Sequence, residues 1–497
     1  MSTSTVSPAL LSHDQPIGTD GVPAVAQADV FFPYDGSVIG TAPVGDASSA
    51  ARAMDEAAAV LPAMAAATTG ARRALLGDIH DALAANCTEL QRLLVLETGK
   101  PVIDCAVEIA RTLATWTAAA EEVSRMTGET VPLDLQPLGA GMLGYYTRRP
   151  AGVVVGIAGF NYPLLLASHK VAPALAAGCP IIIKPSPDTP LATLLMVELI
   201  RDVLAAHGLP RAAVQLVNGG VDVGETLVRD HRAAVVSFTG SAAVGHRIAR
   251  DAAPRKVVLE LGSNTGLIVD DDADVDAAVD AVIRGGFYAN GQACISVQRV
   301  LLLPTVAADF TRKLAARLPE VIVGDPRELS TRVAPVINAA SAARIASWID
   351  DAVTQGARIV ASNAPAGTAQ GSPAGDPATL VYPTVLANVP HTSPLWCQEV
   401  FGPVVCLETV ETLGAAIEVV NDSRYGLQAS VYTRSLASAF AAINGLDVGG
   451  VVVNEIPGFR SDIMPYGGVK DSGIGREGPR WAIEEFTTTR MAMIRPA

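Results

Sequence analysis

Ala151-Gly152-Val153-Val154-Val155-Gly156-Ile157-Ala158-Gly159-Phe160-Asn161-Tyr162-Pro163 and, eighteen residues on, Ile181-Ile182-Ile183-Lys184-Pro185 decide the fold of this 497-residue chain. Residues 151–168 carry no charge, which invites a membrane reading, but Gly152, Gly156, Gly159, Asn161 and Pro163 break any spanning helix. The residues read instead as a β-branched strand at 153–157, a tight loop, a helix opened by Pro163, and a second strand at 181–183. Three further runs, 214–217, 234–238 and 256–259, repeat the alternation of strand, turn and amphipathic segment. Short, continuously apolar strands separated by helices predict a parallel, doubly wound sheet.

Working outward, 47–61 and 71–96 are alanine- and leucine-rich with charges at helical spacing, interrupted at Gly99-Lys100-Pro101. Residues 1–28, rich in Ser, Pro and Gly, are expected to be a flexible lead. A second α/β set follows, with strands expected at 265–269, 300–303, 404–409, 429–432 and 451–454. Residues 363–377, full of Ala, Gly and Pro, are expected to form an exposed loop. Residues 130–149 form an extended segment whose expected partner is the terminal run 486–494; two protruding edge strands would serve subunit association.

A chain this long needs more than one core. Its apolar fraction of 49% suffices for large ones, and 17% charged residues argue against general disorder. The net charge of −14, with no block of Lys or Arg, disfavours nucleic acid and anionic membranes. No basic-then-apolar leader is visible, so a cytoplasmic protein is expected. The six cysteines show no CxxC or Cys/His metal spacing, which predicts reduced thiols and no metal site.

Several residues stand where chemistry is possible. Cys294 follows the polar turn Asn290-Gly291-Gln292 and precedes an apolar run, which takes it out of mid-core; a thiolate there attacks carbonyl carbon well. Glu260 lies inside Val257-Val258-Leu259 and Leu261, where burial would raise its pKa towards that of a general base. Asn161 is either a helix cap or an amide donor to a developing oxyanion. Lys184, followed by Pro185 and Ser186, ends a parallel strand, the end at which such sheets bind ligands. Phe238-Thr239-Gly240-Ser241, with Val244 and Gly245, makes a strand-to-helix turn whose N–H groups suit a phosphate, although the spacing is not GxGxxG.

In this order, these segments resemble the aldehyde dehydrogenase superfamily from about Phe32 to the C-terminus. The resemblance implies an α/β fold with two doubly wound parallel-sheet domains: a cofactor-binding one (29–129 and 150–262) and a catalytic one (263–479). A small β element for bridging and oligomerisation (130–149 and 480–497) completes it. It implies Cys294 as nucleophile forming a thiohemiacetal and then a thioester, Asn161 and the Cys294 N–H holding the oxyanion, Glu260 activating water, and Lys170 in the catalytic set. It places NAD, with NADP possible, on Lys184, Ser186, Phe238, Thr239, Gly240, Ser241, Val244, Gly245, Leu261, Gly262, Glu399 and Phe401. Tyr162, Leu166, His169, Ala293, Ile295 and the loop 458–462 with Arg460 would line the aldehyde's path.

Two departures matter. Ser263 stands where the family's Leu-Glu-Leu-Gly-Gly ends in glycine, and Pro187 stands three residues after the lysine, where many NAD-preferring members carry a glutamate. The residues 460–478 resemble members acting on small polar or acidic aldehydes, such as lactaldehyde or phosphonoaldehydes; an arginine at 460 suits an anionic substrate group. The expected assembly is a homodimer or homotetramer. Two other readings are a CoA-acylating semialdehyde dehydrogenase, which Glu260 disfavours, and a catalytically silent binding protein, which the joint presence of Cys294, Glu260 and Asn161 disfavours.

Overall fold

The computed structural model describes residues 14–365 and 377–496. Its first large sheet has six strands in the order Gly473–Ile474, Lys256–Glu260, Ala233–Thr239, Val153–Ile157, Ile181–Lys184, Val214–Leu216. All neighbours run parallel except the short edge strand Gly473–Ile474, which lies antiparallel to Lys256–Glu260. The central strands read as unbroken apolar runs because helices cover both faces: Val153, Val154, Val155 and Ile181, Ile182, Ile183 are all buried. Chain order reverses at Val153–Ile157, with later strands added first on one side and then on the other. The crevice at the carboxyl ends beside that reversal is where such sheets bind ligands.

The second sheet has seven strands in the order Arg358–Ser362, Thr384–Ala387, Val404–Thr409, Arg299–Leu302, Gly266–Val269, Gln428–Tyr432, Gly450–Val453. Only Arg358–Ser362 is antiparallel. That strand and Thr384–Ala387 were not expected; both flank the alanine-, glycine- and proline-rich segment whose pattern obscured them. Of the exposed loop expected at 363–377, residues 366–376 lie outside the described residues. The extended segment Leu143–Pro150 pairs along its whole length with Thr487–Ile494, and Thr130–Val131 adds a third strand.

Three expectations need correction. The lead expected over 1–28 is packed where it is described: Gln15 and Ile17 are fully buried, Gln15 hydrogen-bonds the Asn218 backbone, and the strand Ala26–Phe31 has begun by residue 26. Composition hid this because the anchoring partners lie some two hundred residues away. The helical stretch expected at 71–96 is two helices, Thr69–Ala85 and Cys87–Thr98, meeting at Asn86. The catalytic domain expected over 263–479 is not self-contained either, since Gly473–Ile474 within it belongs to the first sheet.

One helix bears most directly on the site. Pro163–Ala177 starts immediately after Asn161 and Tyr162 and is buried along its whole length. It has no side-chain cap of its own; instead Glu108, on the neighbouring helix Val102–Glu122, accepts from the Leu164 and Leu165 N–H groups at 3.1 Å each. Glu108 is ion-paired to Lys100, whose Nζ lies 3.7 Å from the Tyr162 ring centroid.

Candidate active site

The carboxyl ends of the first sheet's strands converge with the loop before Arg299–Leu302 on one cleft, with about 1020 Å³ of empty space out to its mouth. Asn161, Tyr162, Leu166, His169, Thr239, Gly240, Ser241, Glu260, Leu261, Gly262, Ala293, Cys294, Ile295, Glu399, Phe401 and Arg460 all line it. Residues separated by up to three hundred positions are thus brought together by two sheets facing one crevice.

Cys294 is held by a strained loop. Ala289, Asn290 and Gly291 all take positive φ (49°, 61° and 69°), a conformation that persists only where the surroundings over-determine it. The buried Asn290 amide does so, donating to Gly99 O and Pro335 O and accepting from the Ala334 N–H. A side chain at Gly291 would run into the Gly402 carbonyl at 2.2 Å. The Cys294 Sγ lies 3.3 Å from the Tyr466 hydroxyl. Burial pushes the thiol up to about 12; the Tyr466 hydrogen bond opposes this, while Glu399 and Glu260 add to it. At neutral pH the resting group is therefore a thiol that needs a proton acceptor.

Glu260 ends its strand buried, and neither carboxylate oxygen has a hydrogen-bond partner. Burial, reinforced by the negative charge of Glu477, pushes its carboxyl well above the ordinary value. Asn161 Nδ2 donates to the Gln292 carbonyl at 2.8 Å, which lays the amide beside the Cys294 loop. Ser263 leaves this arrangement intact: its hydroxyl bonds Thr265 at 3.1 Å and its N–H donates to Glu399 at 3.0 Å. Burial raises Glu399 to about 7, with that N–H opposing.

Lys170 does not line the cleft. Its Nζ donates to Thr239 Oγ1 at 2.7 Å and to Glu477 Oε1 at 3.0 Å. Lys184, Ser186, Phe238, Val244 and Gly245 also stand outside the cleft lining, further along the same edge of the sheet. Lys184 is nearly buried at the end of its strand, and burial lowers it to about 8 with Asp222 opposing. The helix Ala242–Ala252 opens at Ser241 with no side-chain cap, leaving its first N–H groups free for an anion. Gly245 lets that helix close on Leu261, which a Cβ would meet at 2.2 Å, and the Phe238 ring packs against Gly240. Phe401, at φ 52°, stands edge-on to Phe160. An uncapped helix end, a nearly buried lysine and a carboxylate deep in the cleft form a donor set that fits a pyrophosphate flanked by two riboses.

Sequence reasoning missed Glu477, Arg111, Tyr288 and Tyr466, all of which line the cleft. Glu477 was legible only as part of a glycine-rich loop. Arg111 and Glu108 had a usable signal: they lie three residues apart on a helix whose buried stripe runs through Cys105, Thr112, Thr115 and Trp116. Asp462 accepts from Arg111 through both oxygens, at 3.0 and 2.9 Å, and lies 3.1 Å from His169 Nε2. Arg460 lies over the Tyr466 ring at 3.7 Å and reaches Glu477 Oε2 at 3.3 Å.

A two-sheet α/β body with a half-buried cysteine and a buried glutamate facing one crevice defines the class, and residues 22–492 match the aldehyde dehydrogenase family model. The chain belongs to the aldehyde dehydrogenase family. It is 37% identical over 424 residues to the 3-sulfolactaldehyde dehydrogenase of Priestia aryabhattai, covering 85% of this chain and 86% of that one. Aldehyde dehydrogenase 21 from Physcomitrella patens, solved with its reaction product succinate, superposes with a TM-score of 0.92 at 33% identity, covering 99% of both chains. The glyceraldehyde-3-phosphate dehydrogenase GapN from Methanocaldococcus jannaschii, solved with NADP, gives a TM-score of 0.89 at 31% identity, covering 95% of this chain and 100% of that one. Among the described residues no helix is long and apolar enough to cross a membrane.

Proposed function

We propose that this enzyme oxidises a short aldehyde bearing an anionic group (carboxylate, sulfonate or phosphonate) to the corresponding acid, with NAD+ or NADP+ as acceptor. One observation carries the anionic reading: two arginines, Arg111 and Arg460, line the same cleft as Cys294 and Glu260. Among the described residues Arg111 hydrogen-bonds protein only through Asp462, on Nε and one terminal nitrogen, and Arg460 Nε has no hydrogen-bond partner, lying 3.9 Å from Asp462. Guanidinium groups bind planar or tetrahedral oxyanions through paired N–H donors. The three similar proteins act on or release a sulfonate, a dicarboxylate and a phosphate by their names, which agrees with this reading.

In the proposed chemistry Cys294 Sγ attacks the carbonyl carbon as its proton passes by way of the Glu260 carboxylate to solvent, and the oxyanion forms beside Asn161 Nδ2 and the Cys294 N–H. Lys184, Ser241 and Glu399 would hold the oxidised nicotinamide dinucleotide, which would supply the hydride acceptor needed to turn the thiohemiacetal into a thioester. Glu260 then takes a proton from water, whose oxygen attacks the acyl carbon. The C–S bond breaks, and the acid leaves. A base whose pKa burial has raised removes protons more strongly than an ordinary carboxylate. The absent carboxylate at Pro187 removes a repulsion against a 2′-phosphate, so both cofactors are admitted.

The test follows nicotinamide reduction with NAD+ and NADP+ against carboxylated, sulfonated, phosphonylated and neutral short aldehydes, with and without CoA. CoA-independent turnover of an anionic aldehyde is expected. Glu260→Gln should give one burst of reduced cofactor without steady turnover, and Cys294→Ala should give neither. Turnover only with CoA would overturn the hydrolytic reading.

A further inference from the structure

Behind Glu260 lies a chain of buried charges that the proposed chemistry does not yet use. Glu477 Oε1 is held by Lys170. Its Oε2 lies 3.3 Å from Arg460 Nη2 and 3.4 Å from His169 Nδ1. The other ring nitrogen, His169 Nε2, lies 3.1 Å from Asp462, which in turn holds Arg111. His169, Glu477 and Asp462 side chains are all at least 95% buried.

An imidazole between two carboxylates has two ways to satisfy its ring nitrogens without moving. Neutral, it donates from Nε2 to Asp462 and accepts at Nδ1 from Arg460 Nη2, 3.3 Å away. Protonated, it donates from both nitrogens, to Asp462 and to Glu477. Only the protonated ring donates to Glu477 and sets a cation against that carboxylate; the neutral ring fixes Arg460 through Nδ1 instead.

We propose that His169 is a positioning residue for the base: bridging Asp462 and Glu477, it holds Glu477 as a fixed negative charge facing Glu260, so that Glu260 is the carboxyl that takes the proton from water. The proposal rests on the reading of Glu260 as base. The groups facing Glu477 are Lys170 and His169 from the helix, Arg460 from the loop before Met464, Arg476 beside it, and Glu260 from the strand end. Around Glu260 stand Glu477, Arg460, Lys170 and Arg476, with Cys294 and Tyr466 across the cleft. Although burial pushes Glu477 up, Lys170, His169 and Arg460 outweigh it and hold the carboxyl well below its ordinary value. The negative charge so fixed raises Glu260 in turn. Glu260 and Glu477 line the same cleft; two carboxyls that interact titrate as a pair, and a proton they share sits on whichever has the weaker cationic partners.

The test needs neither the natural aldehyde nor a cofactor. p-Nitrophenyl acetate acylates a thiol: a C–S bond forms, the ester C–O bond breaks, and p-nitrophenolate leaves as a burst. Steady release after the burst then reports hydrolysis of the acetyl-enzyme. His169→Gln keeps a hydrogen-bonding side chain but removes the cation that a donating ring sets against Glu477, so part of the shared proton moves to Glu477 and Glu260 ionises at lower pH. The acid limb of the steady rate should move down by about half a pH unit or more, roughly a threefold gain on the rising limb relative to the plateau. Asp462→Asn, which releases the ring from its other side, should move the limb in the same direction by less. A His169→Gln limb that superposes on the parent's, or moves up, overturns the proposal. Glu260→Gln separates the two failures: steady release surviving in that variant would refute the base itself. Its loss, with an unmoved His169→Gln limb, would refute only the role of His169. Burst amplitude per chain confirms that each variant is folded around Cys294.

Discussion

Lys100→Met removes a cation from the interior and leaves Glu108 beside the first turn of the site helix with no charge partner. Both side chains are at most 1% exposed, and Glu108 must go on accepting from two backbone N–H groups. The molecule contains its own control for what Glu108 would become. Glu97 is likewise buried, likewise accepts two helix N–H groups (Leu191 and Ala192), and burial raises it to about 8. A carboxyl with that pKa is protonated in the folded chain at pH 7 but ionised when unfolded. Taking up the proton more than two pH units above the ordinary value of 4.5 costs roughly 3 kcal/mol. This agrees with the roughly 3–5 kcal/mol seen when one partner of a buried pair is removed. The sign fixes the pH dependence. The folded chain binds the extra proton, so the deficit grows as pH rises from 4.5 towards 8 and shrinks to under about 1 kcal/mol at pH 5. Lys100→Met/Glu108→Gln keeps an acceptor oxygen for the helix and leaves no charge, so it should recover most of the loss. Urea unfolding followed by circular dichroism at pH 5 and 7 measures all three chains. A Lys100→Met deficit under about 1 kcal/mol at pH 7, a deficit equal at both pH values, or a double variant no better than the single one would refute the reasoning.

Two other predictions concern the cleft and the surface. Arg111→Ala should lower kcat/KM for anionic aldehydes by about tenfold to a hundredfold, the worth of a charge-assisted pair, and change neutral aldehydes far less; equal losses on both would remove the anionic assignment. The helix Leu436–Gly445 exposes Leu436, Phe440 and Ile443 as one stripe beside the open edge strand Gly450–Val453, and the three-stranded sheet exposes Leu143, Met493 and Ile494. Apolar stripes next to unpaired strand edges seek a second copy, so Phe440→Asp should lower the sedimenting mass relative to the parent; an unchanged mass would refute self-association through this face.

How much of this was legible beforehand differs from element to element. The parallel strands of the first sheet were readable because a strand covered on both faces must be apolar at every position, and 153–157 and 181–183 are. Lys184, Thr239 and Glu260 were marked because polar residues at the ends of such runs sit where a doubly wound sheet opens. Other features left no trace in local pattern. Arg358–Ser362 is an edge strand, half-buried and next to a glycine-rich segment, and it needs no continuous apolar run. Gln15 and Ile17 are ordered only by partners near residue 218. The partnership of Glu477 with Lys170, His169 and Arg460 spans three separate parts of the chain, so no spacing could announce it.

By itself the sequence determined the fold class and marked a candidate nucleophile, a candidate base and the sheet edge at which Glu260 stands, since hydrophobic period and strand-end polarity are local properties. Only the tertiary structure decided which charge neutralises which. It paired Glu108 with Lys100 under Tyr162, turned Ser263 towards Thr265, and set two arginines and a histidine among three carboxylates around one thiol. Electrostatic interaction depends on distance in space and on burial, and neither is written in sequence separation.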